Sequence, residues 1–331
     1  MSKSSSTSLT LVFFLVGLFS QENGAAALNL LKKGRVPAII AFGDSIVDPG
    51  NNNYLTTIVR SNFPPYGRDF IGGKPTGRFS NGKIPTDLLA EAFGIKDLLP
   101  AYLDPNLTIR DLHTGVSFAS AGSGYDPLTA KLVSVLSLSD QLHLFKDYLR
   151  KIKHVMGEET MGRILAKGIF IVCAGGDDIV NTYFPTLFRI IDHDIHSYTD
   201  LMVKSASSFY QFPDSEKVQY RTSSEPCQLL FANKIQQKRQ ELHKLGVRRI
   251  GVFGVSTMGC LPSQRTTRGG IQRKCSASEN QASQIFNSKL SSEIDVLNEN
   301  LVDLKLVYFD SYHSLLHLVS NPSQYGNSPS Q

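Results

Sequence analysis

The chain has 331 residues, 41% of them hydrophobic, and Lys plus Arg exceed Asp plus Glu to give a net charge of +5. That content suffices to bury a large core and excludes a disordered chain. The positive excess is dispersed, with no dense basic run interleaved with aromatics, so the sequence gives no sign of nucleic-acid binding; a weak attraction to acidic polymers is all the charge implies.

The first segment reads as an address. Lys3 is followed by an apolar run from Leu9 to Phe19 and then by Ala25-Ala26-Ala27. A basic start, a short apolar core and small residues are the layout of a secretory signal peptide over residues 1–27, too short to span a bilayer; an uncleaved anchor or a buried strand is the alternative. The expectation is a secreted, extracellular protein without a transmembrane anchor, residues 28–331 forming a single domain.

Val36 to Phe42 is a strand-like run that can be buried on both faces. Gly43 permits a sharp turn at its end, and Ser45 follows at the edge where open α/β sheets bind ligands. Ile84 to Phe93 reads as a helix ended by Gly94. Val116 to Ala119 reads as a short strand before a Gly/Ser turn. Gln141 to Ile152 has helical spacing of Leu142, Phe145, Leu149 and Ile152. Gly168 to Ala174 is a buried strand, Asp200 to Tyr210 a helix, and Val247 to Val255 another buried strand. Gln281 to Leu301 is a long amphipathic helix, Leu304 to Phe309 a last strand, and Tyr312 to Val319 a last helix. Such alternation predicts a three-layer α/β/α sandwich with a mainly parallel central sheet.

The four cysteines are Cys173, Cys227, Cys260 and Cys275. In an oxidising compartment pairing is expected, and Cys260 with Cys275 would close and stabilise the loop they enclose. Cys173 lies in a strand-like run and reads as a buried thiol. No Cys/His spacing indicates zinc, and no metal or cofactor is expected. Asn106-Leu107-Thr108 is an N-glycosylation acceptor.

Three stretches carry a family resemblance. Residues 41–53, Ala-Phe-Gly-Asp-Ser-Ile-Val-Asp-Pro-Gly-Asn-Asn-Asn, resemble block I of the plant GDSL esterase/lipase family within the SGNH hydrolases. Residues 115–125, Gly-Val-Ser-Phe-Ala-Ser-Ala-Gly-Ser-Gly-Tyr, look like block II, and Ala174-Gly-Gly-Asp-Asp-Ile179 looks like block III. Residues 247–265, Cys275 with the helix beginning near Asn280, and the stretch from Tyr308 to Gly326 are also similar. The resemblance implies an SGNH hydrolase-like fold and a secreted carboxylic-ester hydrolase acting on an ester or lipid substrate. It implies that Ser45 is the nucleophile, forming an acyl-enzyme, and that the Gly122 N–H serves the oxyanion hole. Preorganised donors are needed there because the tetrahedral intermediate places charge on the former carbonyl oxygen.

The chain departs from the family at three places. Where the family has an oxyanion-hole Asn, this chain has Asp177; an ionised carboxylate only accepts hydrogen bonds and would repel the oxyanion. The family's terminal Trp-Asp-x-x-His-Pro motif, which supplies the acid and base of the triad, has no counterpart before Gln331. The expectation is a C-terminally incomplete domain with impaired activity, since a serine without a base is a poor nucleophile. Asp310-Ser-Tyr-His313 has the Asp-x-x-His spacing but falls where the family has no catalytic residue. Lastly, about residues 212–240 interrupt a helix-to-strand stretch that is continuous in the family. Such a long loop favours read-through intron sequence over a surface insertion, and leaves Cys227 a stray thiol. The alternative to an enzyme is a non-catalytic relative that keeps the fold and binds a ligand or a protein partner.

Overall fold

The computed structural model describes residues 35–210, 242–301 and 303–325. The signal-like segment 1–27 and the atypical segment 212–240 lie outside them. Four strands form one parallel sheet in the order β1 (Ile39–Gly43), β2 (Ile169–Cys173), β3 (Arg249–Phe253), β4 (Lys305–Phe309). The registers run Ile39 to Ile169, Phe170 to Ile250 and Arg249 to Lys305. All strands point the same way, so the ends that follow Gly43, Cys173, Phe253 and Phe309 share one edge.

The helices in chain order are α1 (Pro85–Ala92), α2 (Ile109–Thr114), α3 (Pro127–Leu132), α4 (Leu138–Met156), α5 (Glu158–Lys167), α6 (Leu187–Ile190), α7 (Ile195–Tyr210), α8 (Pro262–Arg268), α9 (Ala277–Asn300) and α10 (Ser311–Ser320). Alternate strand residues reach opposite faces. Ile40, Phe42, Phe170, Val172, Ile250, Val252 and Leu306 join a large core with α4, α5, α7 and α9. Ile39, Ala41, Ile169, Ile171, Cys173, Val307 and Phe309 join a smaller core with Leu89 and Ala90 of α1 and with Phe93. With both faces covered, the strands read as continuous apolar runs, and the predicted α/β sandwich with a parallel sheet is what the chain forms.

The helices start where the sequence supplies caps. The Ser137 hydroxyl accepts the Asp140 N–H at 3.2 Å while the Asp140 carboxylate accepts the Ser137 N–H at 3.0 Å, a reciprocal cap that begins α4 three residues before the predicted start. Phe42 is the hub of the larger core, its ring 5.4 Å from those of Phe118 and Phe145 and 5.6 Å from that of Phe209. Each such pair adds about 0.5–1.5 kcal/mol beyond area burial and fixes the strand that leads to Ser45.

The predicted strand Val116–Ala119 is corrected to a single bridging residue. Ser117 forms isolated bridges with Ala41 and Ala101. The Ala41 N–H bonds the Val116 carbonyl at 3.3 Å and the Phe118 N–H bonds the Ala41 carbonyl at 2.8 Å, after which the backbone turns away from the sheet. The turn beginning at Ser120 takes the chain out of the ladder before it can extend.

Candidate active site

Gly43 ends β1 at φ +130°, and a Cβ there would fall 1.8 Å from the Cys173 carbonyl oxygen, so the sharp exit requires glycine. The buried Gln141 side chain of α4 clamps this residue: its Oε1 accepts the Gly43 N–H at 2.8 Å and its Nε2 donates to the Gly43 carbonyl at 2.9 Å. The Asp44 N–H reaches the Cys173 carbonyl at 2.9 Å, and the Ile46 N–H reaches Asp44 Oδ1 at 3.0 Å. Ser45 thus leaves the sheet edge on a held turn and lines a cavity of about 310 Å³ with Asp44, Asp177, Asn181, Val255 and Leu261. The walls come from the ends of three adjacent strands.

The Asp-Pro-Gly-Asn-Asn-Asn tail after Ser45 is a clasp. Asp48 Oδ1 accepts the N–H groups of Gly50 and Asn51 at 2.8 and 2.7 Å, and its Oδ2 accepts the Ala121 N–H at 3.0 Å. Asn51 donates to the Ser117 and Ala119 carbonyls at 2.9 and 2.7 Å and accepts the Leu103 N–H at 3.0 Å. Asn52 donates to the Ala121 carbonyl at 2.9 Å and accepts from the Ser120 hydroxyl at 2.5 Å. All three side chains are buried and fully used, so they lock the serine turn onto the turn that holds Gly122. Burial pushes the Asp48 carboxyl up to about 6 despite those backbone hydrogen bonds.

Gly122 adopts φ +88°, a left-handed conformation that favours glycine. Its N–H is directed toward the Asp177 carboxylate, which accepts a hydrogen bond from Asn181 Nδ2 at 2.5 Å. Burial raises the Asp177 carboxyl to about 6, and these two donors only partly offset it. Asp44 is raised well above the usual carboxylate range, first by burial and then by the charge of Asp177. A π-helical turn, Asp178–Tyr183, follows, closed by the Phe184 N–H on the Ile179 carbonyl at 3.2 Å. The buried Asp178 anchors it, accepting from the N–H groups of Tyr125 and Asp126 at 2.8 and 3.0 Å and from the Thr129 hydroxyl at 2.5 Å. The structure therefore brings Ser45 and Asp177 to one cavity, with the Gly122 N–H aimed at Asp177.

Other candidates fall elsewhere. Among the described residues, no histidine lines the cavity. The Asp310 carboxylate meets His313 Nδ1 at 2.6 Å and also caps α10. This pair sits past the end of β4, about 14 Å from β1 at the usual strand spacing, and its role is structural. Cys260 and Cys275 form a disulfide, and Cys173 is a buried free thiol. Asn106 is exposed, its side chain and N–H both bonded to Asp104 Oδ1 at 3.0 and 2.9 Å. A separate hollow of about 350 Å³ beside Lys96 is away from these residues. Burial lowers Lys96 to about 8, and its ammonium is committed to the Asp111 and Gly115 carbonyls at 3.2 and 2.9 Å.

Sequence reasoning missed Asp48, Asn51, Asn52 and Gln141 as parts of this site. The available signal was the dense run of Asp and Asn right after a strand end, which carries more hydrogen-bonding capacity than a solvated turn needs.

Residues 39–329 match the profile of the family described as GDSL-like Lipase/Acylhydrolase. The chain is 47% identical over 300 residues to the GDSL esterase/lipase EXL3 of Arabidopsis thaliana, covering 91% of this chain and 74% of that protein. It is 45% identical over 290 residues to the GDSL esterase/lipase At1g20120 of the same plant, covering 88% and 65% respectively. A third relative there, the GDSL esterase/lipase At3g14820, is 43% identical over 318 residues, covering 96% and 81%. With the parallel sheet and a serine at its edge, these matches establish that the chain belongs to the GDSL-like lipase/acylhydrolase family of ester hydrolases.

Proposed function

We propose that the protein is a secreted carboxylic-ester hydrolase that works through a Ser45 acyl-enzyme. The observation that carries this reading is the position of Ser45, held at the end of β1 in a cavity whose wall includes Asp177 beside the Gly122 N–H. In the reaction Ser45 Oγ attacks the ester carbonyl carbon and loses its proton to a general base. The Gly122 N–H faces the oxygen that gains charge, the alcohol leaves with a proton, and water then cleaves the acyl-serine to release the acid. In the family resemblance the base belongs to an Asp-x-x-His segment, so the reading is tested both on the sequence in hand and on a version carrying that segment from a relative.

The test is fluorophosphonate labelling and hydrolysis of short p-nitrophenyl esters, by the chain itself and by the grafted version. Ser45→Ala should abolish both signals; labelling that persists in it would remove Ser45 from the mechanism. A second reading, ligand binding without turnover, is favoured by one observation: the Asp177 carboxylate lies beside the Gly122 N–H that an oxyanion would need. It prevails if the grafted chain hydrolyses no ester. The exposed Asn106 and the signal-like start support passage through the secretory route. A glycosidase-sensitive mass shift lost in Asn106→Gln checks it.

A further inference from the structure

The rim of the Ser45 cavity carries a feature that ester chemistry does not require. Leu261, Ser263 and Gln264 line the cavity and begin the loop closed by Cys260 and Cys275. Between those cysteines lie Arg265, Arg268, Arg273 and Lys274, and no Asp or Glu. At the loop tip Ile271 is fully exposed. The tip is held in shape: Arg265 Nε donates to the Arg273 carbonyl at 2.7 Å, and the Lys274 N–H to the Gly269 carbonyl at 3.0 Å. An exposed isoleucine alone is ordinary, but at the tip of a loop that carries Arg273 and Lys274 it puts an apolar side chain and positive charge on one protrusion.

The neighbouring rim shares this character. The Arg268 guanidinium lies 5.3 Å above the Phe184 ring, which joins the loop to the end of the π-helical turn. Just beyond it, Leu187 and Phe188 of α6 and the following Ile191 are exposed. Two carboxylates around this face are committed. Glu279 pairs with Arg268 at 2.9 Å and Asp126 pairs with Arg189 at 2.6 Å. Asp192 and Asp194 are exposed acids on the α6 side, away from the loop tip in sequence.

We propose that this rim docks onto an anionic lipid bilayer, with Arg273 and Lys274 on headgroup phosphates and Ile271 entering the acyl boundary. Basic residues draw the loop to a negative leaflet, and an apolar tip gains only where hydrocarbon lies beneath the charge. An acidic polysaccharide would engage the cations and leave Ile271 in water. The surface deepens the ester-hydrolase reading by giving its substrate a physical form, esters presented at a lipid surface. Binding is read without turnover, so the two readings fail separately.

The test is co-sedimentation of the full 331-residue chain with phosphatidylcholine vesicles and with vesicles containing roughly one-third phosphatidylserine. Binding to the anionic vesicles should exceed that to neutral ones at least tenfold and weaken with salt, as a Debye length of about 10 Å at 0.1 M requires. Arg273→Gln with Lys274→Gln should lower it about twentyfold at low salt. Ile271→Ser, which changes no charge, should lower it about fivefold or more. All these positions are exposed, and circular dichroism checks that each variant is folded. Equal binding to neutral vesicles, no binding to anionic ones, or an Ile271→Ser variant that binds like the parent would overturn the proposal. Binding to polygalacturonate alone would also overturn it and assign the loop to an acidic polymer.

Discussion

Asp177→Asn isolates one proton in the proposed oxyanion hole. The Asp177 carboxyl titrates near 6, raised by burial and lowered partly by Asn181 and Gly122. Below that value it carries a proton it can donate; above it, the carboxylate has no proton to donate and opposes the developing oxyanion. With a pKa near 6, about nine-tenths of molecules hold the proton at pH 5 and about 3% at pH 7.5, a fall of about thirtyfold. An asparagine donates at every pH, and one such donor is worth about 2.7–4 kcal/mol to the transition state. The ratio of kcat/KM for Asp177→Asn over the parent should therefore climb about thirtyfold from pH 5 to 7.5. Taking the ratio cancels titrating groups that Asp177 does not touch; Asp44, which its charge raises, is held out by repeating the comparison in an Asp44→Asn background. The assay is p-nitrophenyl butyrate hydrolysis by both chains carrying the grafted Asp-x-x-His segment. A ratio that stays flat across this range would mean that residue 177 does not face the oxyanion.

Three further outcomes follow from burial and hydrogen bonding. Asp48 and Asp178 titrate near 6 and 7 when folded, raised by burial from a usual 3.8, so the folded chain binds more protons between about pH 4 and 7. Stability should then fall as pH rises through that window, by a few kcal/mol at about 1.4 kcal/mol per unit, and a thermal midpoint higher at pH 7.5 than at pH 5 would contradict the assignment. Gln141→Leu orphans the buried Gly43 N–H, while the Gly43 carbonyl keeps the Ser120 N–H at 2.9 Å, and should cost about 1–3 kcal/mol in urea unfolding, with slower fluorophosphonate labelling of Ser45. Asp87→Ala leaves the buried Arg78 unpaired and should cost about 3–5 kcal/mol; Arg78→Met with Asp87→Leu should recover only part of that loss, because Asp87 also accepts the Ile84 and Leu99 N–H groups, and an additive double variant would refute the coupling.

The strands were legible because each is a short apolar run bounded by glycine or polar residues; β2, β3 and β4 fall within their predicted spans and β1 runs one residue past its own, to Gly43. The long helices were legible from spacing, as in Leu142, Phe145, Leu149 and Ile152, all buried. Their ends were less so, because α7 starts at Ile195, five residues before the predicted Asp200. The short helix α3 and the π-helical turn carry too few residues for a period to register. Within the site, Ser45, Gly122 and Asp177 were found through motif resemblance. The clasp was not, since Asp48 and Asn51 bond backbone groups more than sixty positions away, and Gln141 bonds Gly43 across 98. Local pattern holds no record of such partners.

The parallel sheet also sets a timetable for synthesis. Ile39 of β1 must wait for Ile169 of β2. They stand 130 positions apart, a length that at about 5–20 residues per second takes about 7–26 s to emerge from the ribosome. The later pairings, β2 with β3 and β3 with β4, close shorter intervals. Distant pairings form slowly because the chain between them must first be ordered. The strand that leads to the serine is thus the earliest made and has the longest wait for its neighbour in the four-stranded sheet. Throughout that interval the run Ile39-Ile40-Ala41-Phe42 stays open to holdase chaperones and to other nascent chains.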